Sequence, residues 1–256
     1  MGIFSGYLLC SDIDGTLVDE SGKISRENLN AINYFTSNGG MFVIASGRYY
    51  DYCETKLGYK SLGPIIALNG GHIYDMKTKK SLWENSFGER EKEIALEIFE
   101  KVLVEEKKAN INYLNKYETV TDIEALKNAL YGKDVPFKVV FIAKEEIGEK
   151  ICEYTREKFK DEVKVVRSLS TLTEILPLGS SKDKCLEKIV NLNPQIKTVV
   201  AVGDYENDIE MVKRADIGYA VENAIPQLKA VAKRFAPKHT ENAIAYIIKE
   251  LENEVR

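Results

Sequence analysis

Four apolar runs constrain this chain more than anything else in it: "YLLCSD" near the start, "MFVIASG", "PIIALNGG" and "TVVAVGD". Each is continuous rather than alternating, as strands covered on both faces are, and each ends in polar or glycine residues. Between them lie helical patterns. "SRENLNAINYFTSNGG" has Ser25 placed as an N-cap, Leu29, Ile32 and Phe35 at helical spacing, and Gly39-Gly40 as its stop. "YYDYCETKLG" also reads as a helix. The last third repeats the alternation: "SKDKCLEKIVNL" a helix, "TVVAVGD" a strand, "ENDIEMVKRA" a helix, "DIGYAV" a strand and "ENAIAYIIKELENEV" a closing helix. Such βαβ units build a parallel sheet with helices on both faces.

The middle of the chain follows another rule. From about residue 80 to 178 the strand-like segments "FKVVFIAKE", "EVKVVRS" and "TLTEILP" alternate or carry charges, and polar helical stretches run near 89–108 and 145–160. That pattern predicts an antiparallel sheet with helices on one face and the other face free. The expected architecture is therefore α/β: a Rossmann-like doubly wound parallel sheet core, residues 1–79 and 179–256, interrupted by an inserted α+β cap domain, residues 80–178.

Composition narrows the function. The net charge of −4 supplies no basic field for nucleic acid. Cys10, Cys53, Cys152 and Cys185 show no CxxC spacing, and with only His72 and His239 available a zinc or iron cluster is not expected. No apolar run approaches the roughly 20 residues that span a bilayer. The first basic residue is Lys23, so no charged n-region precedes the N-terminal apolar stretch, and a cytoplasmic location is expected. Oligomeric state stays open, a homodimer included.

In an open parallel sheet, ligands bind where the strands end. Here the ends carry Asp12-Ile13-Asp14-Gly15-Thr16, then Ser46-Gly47-Arg48, then Asn69-Gly70-Gly71, then Asp204, Asn207 and Asp208, with Lys182 opening the helix before the last strand. Two carboxylates two residues apart at the end of a buried strand repel each other and resist desolvation, so a cation or a proton has to accompany them. Asp12, Asp14 and Asp204 are hard oxygen donors of the kind Mg²⁺ prefers, and Mg²⁺ usually accompanies phosphate. Ser46 and Lys182 suit phosphoryl oxygens, and the glycines allow backbone N–H groups close approach. Asp12 is placed to act as a nucleophile.

Taken singly, several of these residues have plainer readings. Asp204, Asn207 and Asp208 could cap the following helix, and Ser46-Gly47-Arg48 could be an ordinary strand-to-helix turn. A calcium loop is disfavoured because Gly15 stands at position four instead of six. Asn69 reads as a turn residue, His72 and His239 as structural or exposed, and Trp83 and the tyrosines of the middle region as packing surface.

The order "DIDGT", "SGR", "SK", "GDYENDIEM" resembles the four motifs of the haloacid dehalogenase superfamily of phosphohydrolases. "NGG" before the large insertion and "AVENA" after the fourth motif resemble its Cof-type subfamily, with a class IIB cap. The resemblance implies a Mg²⁺-dependent phosphatase of a small phosphorylated metabolite, a sugar phosphate or phosphorylated cofactor. Asp12 would be the nucleophile and a metal ligand. Asp14 would be the proton shuttle, ligating the metal through its backbone carbonyl. Ser46 and Lys182 would hold the phosphoryl group, with Gly47 and Arg48 at the substrate. Asp204 would ligate the metal, Asp208 would orient its water shell, and Asn207 would contact phosphate or support Lys182. Three positions depart from the family pattern: Tyr205 after "GD", Asp183 after Lys182, and Asn242-Ala243. A phosphomutase of the same superfamily and a non-catalytic phospho-accepting or binding protein are the alternatives.

Overall fold

The computed structural model describes residues 2–52, 63–103 and 108–255. Cys53 and most of the "YYDYCETKLG" helix lie outside the described residues. Two sheets organise the chain.

The larger sheet has the order β13-β12-β11-β1-β2-β3-β4-β5. Its parallel members are β1 (Tyr7–Ser11), β2 (Met41–Ala45), β3 (Pro64–Ala67), β11 (Thr198–Gly203), β12 (Ile217–Val221) and β13 (Arg234–Ala236). β4 (His72–Asp75) and β5 (Lys80–Glu84) close one side antiparallel. The chain runs outward from β1 through β2 to β3, then returns to the other side of β1 with β11 and runs outward again. The strand order thus reverses at β1 and β11, which is where open α/β sheets bind ligands.

Alternate residues of the central strands face opposite helix layers. Leu9, Phe42 and Ile44 pack with Ile32 and Phe35 of α1 (Arg26–Ser37) and with Ile244 and Ile247 of α8 (Ala243–Val255). Leu8, Cys10 and Val43 pack instead with Cys185 and Ile189 of α5 (Lys182–Leu192) and Met211 of α6 (Ile209–Arg214). Burial on both sides is the reason these strands read as unbroken apolar runs. Ser25 caps α1 as expected, its Oγ accepting from the Asn28 amide at 3.1 Å.

The smaller sheet is antiparallel, in the order β7-β6-β8-β10-β9. It comprises β6 (Ala109–Asn112), β7 (Tyr117–Val120), β8 (Lys138–Ile142), β9 (Val163–Leu169) and β10 (Leu172–Pro177). Helices α2 (Glu89–Lys101), α3 (Ile123–Leu130) and α4 (Glu145–Phe159) share its apolar face, where Ile98, Leu126 and Ile151 meet Ile111, Val139 and Ile175. α3 is not among the helices expected from the sequence, although Asp122 caps it and Ile123, Leu126 and Leu130 recur at helical spacing. β4, β6 and β7, four residues each, are too short to show a period. α7 (Pro226–Lys229) is a single turn.

The expected boundary at residue 80 moves. Residues 80–84 pair with β4 inside the large sheet, so the first element of the smaller unit is α2, at Glu89. The segment is polar and largely exposed because it is an edge strand, which made it resemble the insertion. The two connecting segments are tied together where they cross: the Asn85 Nδ2 donates to Leu178 O at 3.0 Å and to Ser180 Oγ at 2.9 Å.

Candidate active site

Asp12 follows directly on β1, and its N–H still pairs with Val202 O of β11 at 3.1 Å. Asp204 follows β11. The chain turns after Asp14 through Gly15 at φ +78°, where a Cβ would come within 2.4 Å of Asp204 Oδ2. Glycine is needed here twice over, for the left-handed backbone and for the close approach of the second acidic loop. Thr16 Oγ1 donates to Asp204 Oδ1 at 3.3 Å from the same turn.

Lys182 comes from the first position of α5. Gly70, at φ +94°, lets the preceding loop pack on the Ser181 backbone so that this helix start reaches the sheet. The Lys182 side chain is 1% exposed, and its ammonium donates to Asp12 Oδ1 at 2.6 Å and to Asp208 Oδ1 at 2.7 Å. Asp208 Oδ2 accepts from the Asp204 and Tyr205 amides at 3.1 and 3.4 Å. Asp208 is therefore a buried brace, with each of its oxygens already engaged.

One carboxylate oxygen from each of Asp12, Asp204 and Asp208 lies within 4.8 Å of the others. Three carboxylates around one ammonium leave an excess of negative charge in a dry place. Burial, with Asp208, Asp204 and Asp14 adding to it, holds the Asp12 carboxyl well above the usual range despite Lys182. Burial and then Asp208 push Asp204 up to about 7. For Lys182, burial favours the neutral amine, yet Asp12 and Asp208 outweigh it and raise its pKa. A divalent cation between Asp12 and Asp204 would balance that charge, and hard carboxylate oxygens are suitable donors for it. These residues could hold a metal ion.

Asp14 stands apart from the cluster. Both its oxygens accept from Arg48, from Nε and Nη2 at 2.8 Å each, and the Arg48 guanidinium lies 4.1 Å over the Tyr52 ring. The hydrogen bond to Asp14 raises the Arg48 pKa. Ser46 is buried, with its Oγ accepting from the Arg48 amide at 3.1 Å. A cavity of about 610 Å³ opens between the two sheets, bordered on the large-sheet side by Asp12, Asp14, Arg48, Asp204 and Asn207.

Asn69 has a larger part than the turn role expected of it. It does sit in a left-handed turn, at φ 53°. Its side chain is also buried, donating from Nδ2 to Glu174 Oε2 of β10 at 2.7 Å and accepting at Oδ1 from Asn207 Nδ2 at 3.1 Å. The only hint in the sequence is an Asn-Gly-Gly at a strand end. Glu174, Lys138 and Tyr117 border the cavity as well, and no motif marks them.

Two of the departures have local explanations. The Asp183 carboxylate faces away from the site, accepting from Ser181 Oγ and from Arg214 at 3.4 Å, so its charge is not added to Asp12. Asn242 occupies a left-handed position, φ 61°, which asparagine tolerates better than most residues. His72 is buried, with Nε2 2.8 Å from Ser81 Oγ, and burial lowers its pKa to about 4.

The strand order reverses between two acidic strand ends, the place where an open α/β sheet binds its ligand. The family model of the haloacid dehalogenase-like hydrolases matches residues 9–248, and the chain belongs to that family. Among curated relatives, the chain is similar to two 5-amino-6-(5-phospho-D-ribitylamino)uracil phosphatases of Bacillus subtilis. YwtE is 28% identical over 94% of this chain and 96% of its own length, and YcsE is 29% identical over 94% of each. Among solved structures, a haloacid dehalogenase-like hydrolase from B. subtilis superposes with a TM-score of 0.82 at 19% identity, covering 95% of this chain and 99% of that one. The class expected from the four motifs is thus the class found, and the doubly wound core is shared.

Proposed function

We propose that the chain is a Mg²⁺-dependent phosphatase that hydrolyses a small phosphorylated metabolite through a phospho-aspartate on Asp12. The observation that carries this reading is the Lys182 ammonium, which donates to Asp12 and Asp208 together at the strand ends facing the cavity. A carboxylate held in that way keeps one oxygen fixed and the other directed to substrate. The relatives' names support the choice of a phosphate ester, since both are phosphatases of a phosphoribityl compound.

Asp12 would attack the phosphorus in line while Asp14 protonates the departing alkoxide. Asp14 would afterwards take a proton from the water that hydrolyses the acyl phosphate. For that, its contact with Arg48 has to open or shift toward the substrate. Ser46 and Lys182 would receive the transferring oxygens, and Asn207 would hold the edge of the site through Asn69. Mg²⁺, held by Asp12, Asp204 and the Asp14 carbonyl, would supply charge neutralisation for the phosphoryl group. Asp208 would keep Lys182 and the Asp204 loop in place, and Gly47 would permit close approach of the Ser46–Arg48 turn. The smaller sheet would exclude water from the cavity and select the leaving group, with a cytoplasmic metabolite as substrate.

The test is phosphate release from a panel of phosphorylated metabolites with Mg²⁺, with Asp12→Asn as control. Release that needs both the metal and Asp12 is expected. Undiminished turnover by Asp12→Asn would refute the reading, and an isomerised phosphate in place of free phosphate would transfer the assignment to a phosphomutase.

A further inference from the structure

On the cavity-facing side of the small sheet, Lys138 of β8 and Glu174 of β10 form an ion pair, Nζ to Oε2 at 2.6 Å, with each side chain only 3% exposed. Val140 of β8 pairs with Glu174, so Lys138 and Glu174 are diagonal neighbours on one face. The opposite face, with Val139 and Ile175, is the apolar one packed on helices. A buried ion pair loses so much hydration that well-packed apolar residues hold a sheet at least as well. This pair also lines the same cavity as Asp12 and Asp204. Asn69 anchors it to the large sheet by donating to the same Glu174 oxygen at 2.7 Å, and through Asn207 the anchor reaches the loop that carries Asp204.

From this placement we infer that Lys138 and Glu174 form the leaving-group recognition pair of the enzyme, and that the leaving group is uncharged and rich in hydroxyl or amide groups. The inference rests on the phosphatase reading above and adds the chemistry of the part of the substrate that departs. Lys138 offers donors and Glu174 an acceptor, and their charges cancel. Asn110 and Asn112 extend the same lining with amide groups. A neutral polyol or amide finds complementary partners there. A second phosphate finds no net positive charge, and Asp12, Asp14 and Asp204 across the cavity repel it.

The experiment compares three substrates: p-nitrophenyl phosphate, a pentitol 5-phosphate and the corresponding pentitol 1,5-bisphosphate. The proteins are the wild type, Glu174→Gln, and the double variant Lys138→Met/Glu174→Leu, which leaves no unpaired buried charge. Circular dichroism and thermal unfolding establish that each is folded. For the double variant, the loss of kcat/KM on the pentitol monophosphate should exceed that on p-nitrophenyl phosphate by about tenfold or more, mostly in KM, as expected for lost hydrogen bonds to charged groups. Glu174→Gln, which leaves Lys138 uncompensated, should raise the ratio of bisphosphate to monophosphate turnover. Equal losses on all three substrates would assign the pair a structural role and overturn the inference, as would a wild type that prefers the bisphosphate. Wild-type protein that releases phosphate from none of them would refute the phosphatase reading itself, and the inference with it.

Discussion

Replacing Lys182 by methionine removes the cation that, among the described residues, is bonded to Asp12 and Asp208, and keeps most of the side-chain volume. Asp208 retains two amide donors, whereas Asp12 loses its 2.6 Å partner in a buried setting. An uncompensated buried charge of this kind costs about 3–5 kcal/mol, unless the group takes up a proton instead. Protonation sets a ceiling on the loss. Against an unfolded carboxyl near 3.9, binding one proton costs about 4 kcal/mol at pH 7 and about 1.5 kcal/mol at pH 5. The folded carboxyl lies above its unfolded value already in the wild type and rises further without Lys182. The stability linked to it therefore falls as pH rises, and that of the variant falls further. With a urea slope of about 3 kcal/mol/M for a chain of this size, the midpoint should drop by at most about 1.3 M at pH 7 and at most about 0.5 M at pH 5. The assay is urea unfolding of metal-free wild type and variant by circular dichroism at both pH values. A shift below about 0.3 M at pH 7, or one that does not shrink at pH 5, would refute the charge argument.

Two further outcomes follow from the same geometry. His72 is buried and its pKa lies near 4 instead of 6.5, so the unfolded chain binds its proton first and stability is lost as pH falls from about 6.5 toward 4. That difference is worth about 3 kcal/mol, and His72→Gln should flatten the wild-type stability curve over this window in urea titrations; parallel curves would contradict it. Gly15→Ala places a Cβ within 2.4 Å of Asp204 Oδ2, so the Mg²⁺ concentration for half-maximal phosphate release should rise about tenfold or more, with an unchanged requirement ruling the cradle out.

The reading of the site from the chain went furthest where chemistry is local. Asp12, Asp14, Ser46, Arg48, Lys182, Asp204, Asn207 and Asp208 could be singled out as candidates because carboxylates at the end of a buried strand are costly without a partner and because the order of the motifs resembles a known family. Their division of labour was not legible. Asp208 spends its oxygens on Lys182 and two amides, and Asp14 is held by Arg48 outside the acidic cluster. Asn69 looked like a turn residue because its backbone is one. Its side-chain partners, Glu174 and Asn207, are 105 and 138 residues away, and local spacing holds no trace of them.

By itself, then, the order of residues determined the unbroken apolar strands, the helices between them, the acidic strand ends and the change of pattern in the middle third, since each depends on neighbours within a few positions. Only the tertiary structure decided that β5 joins the large sheet, that Asp183 faces Arg214 instead of Lys182, and that Lys138 and Glu174 are buried against the cavity. Burial in those places comes from surfaces contributed by distant segments. Whether a charged side chain ends in water or in a dry ion pair is set by what packs over it.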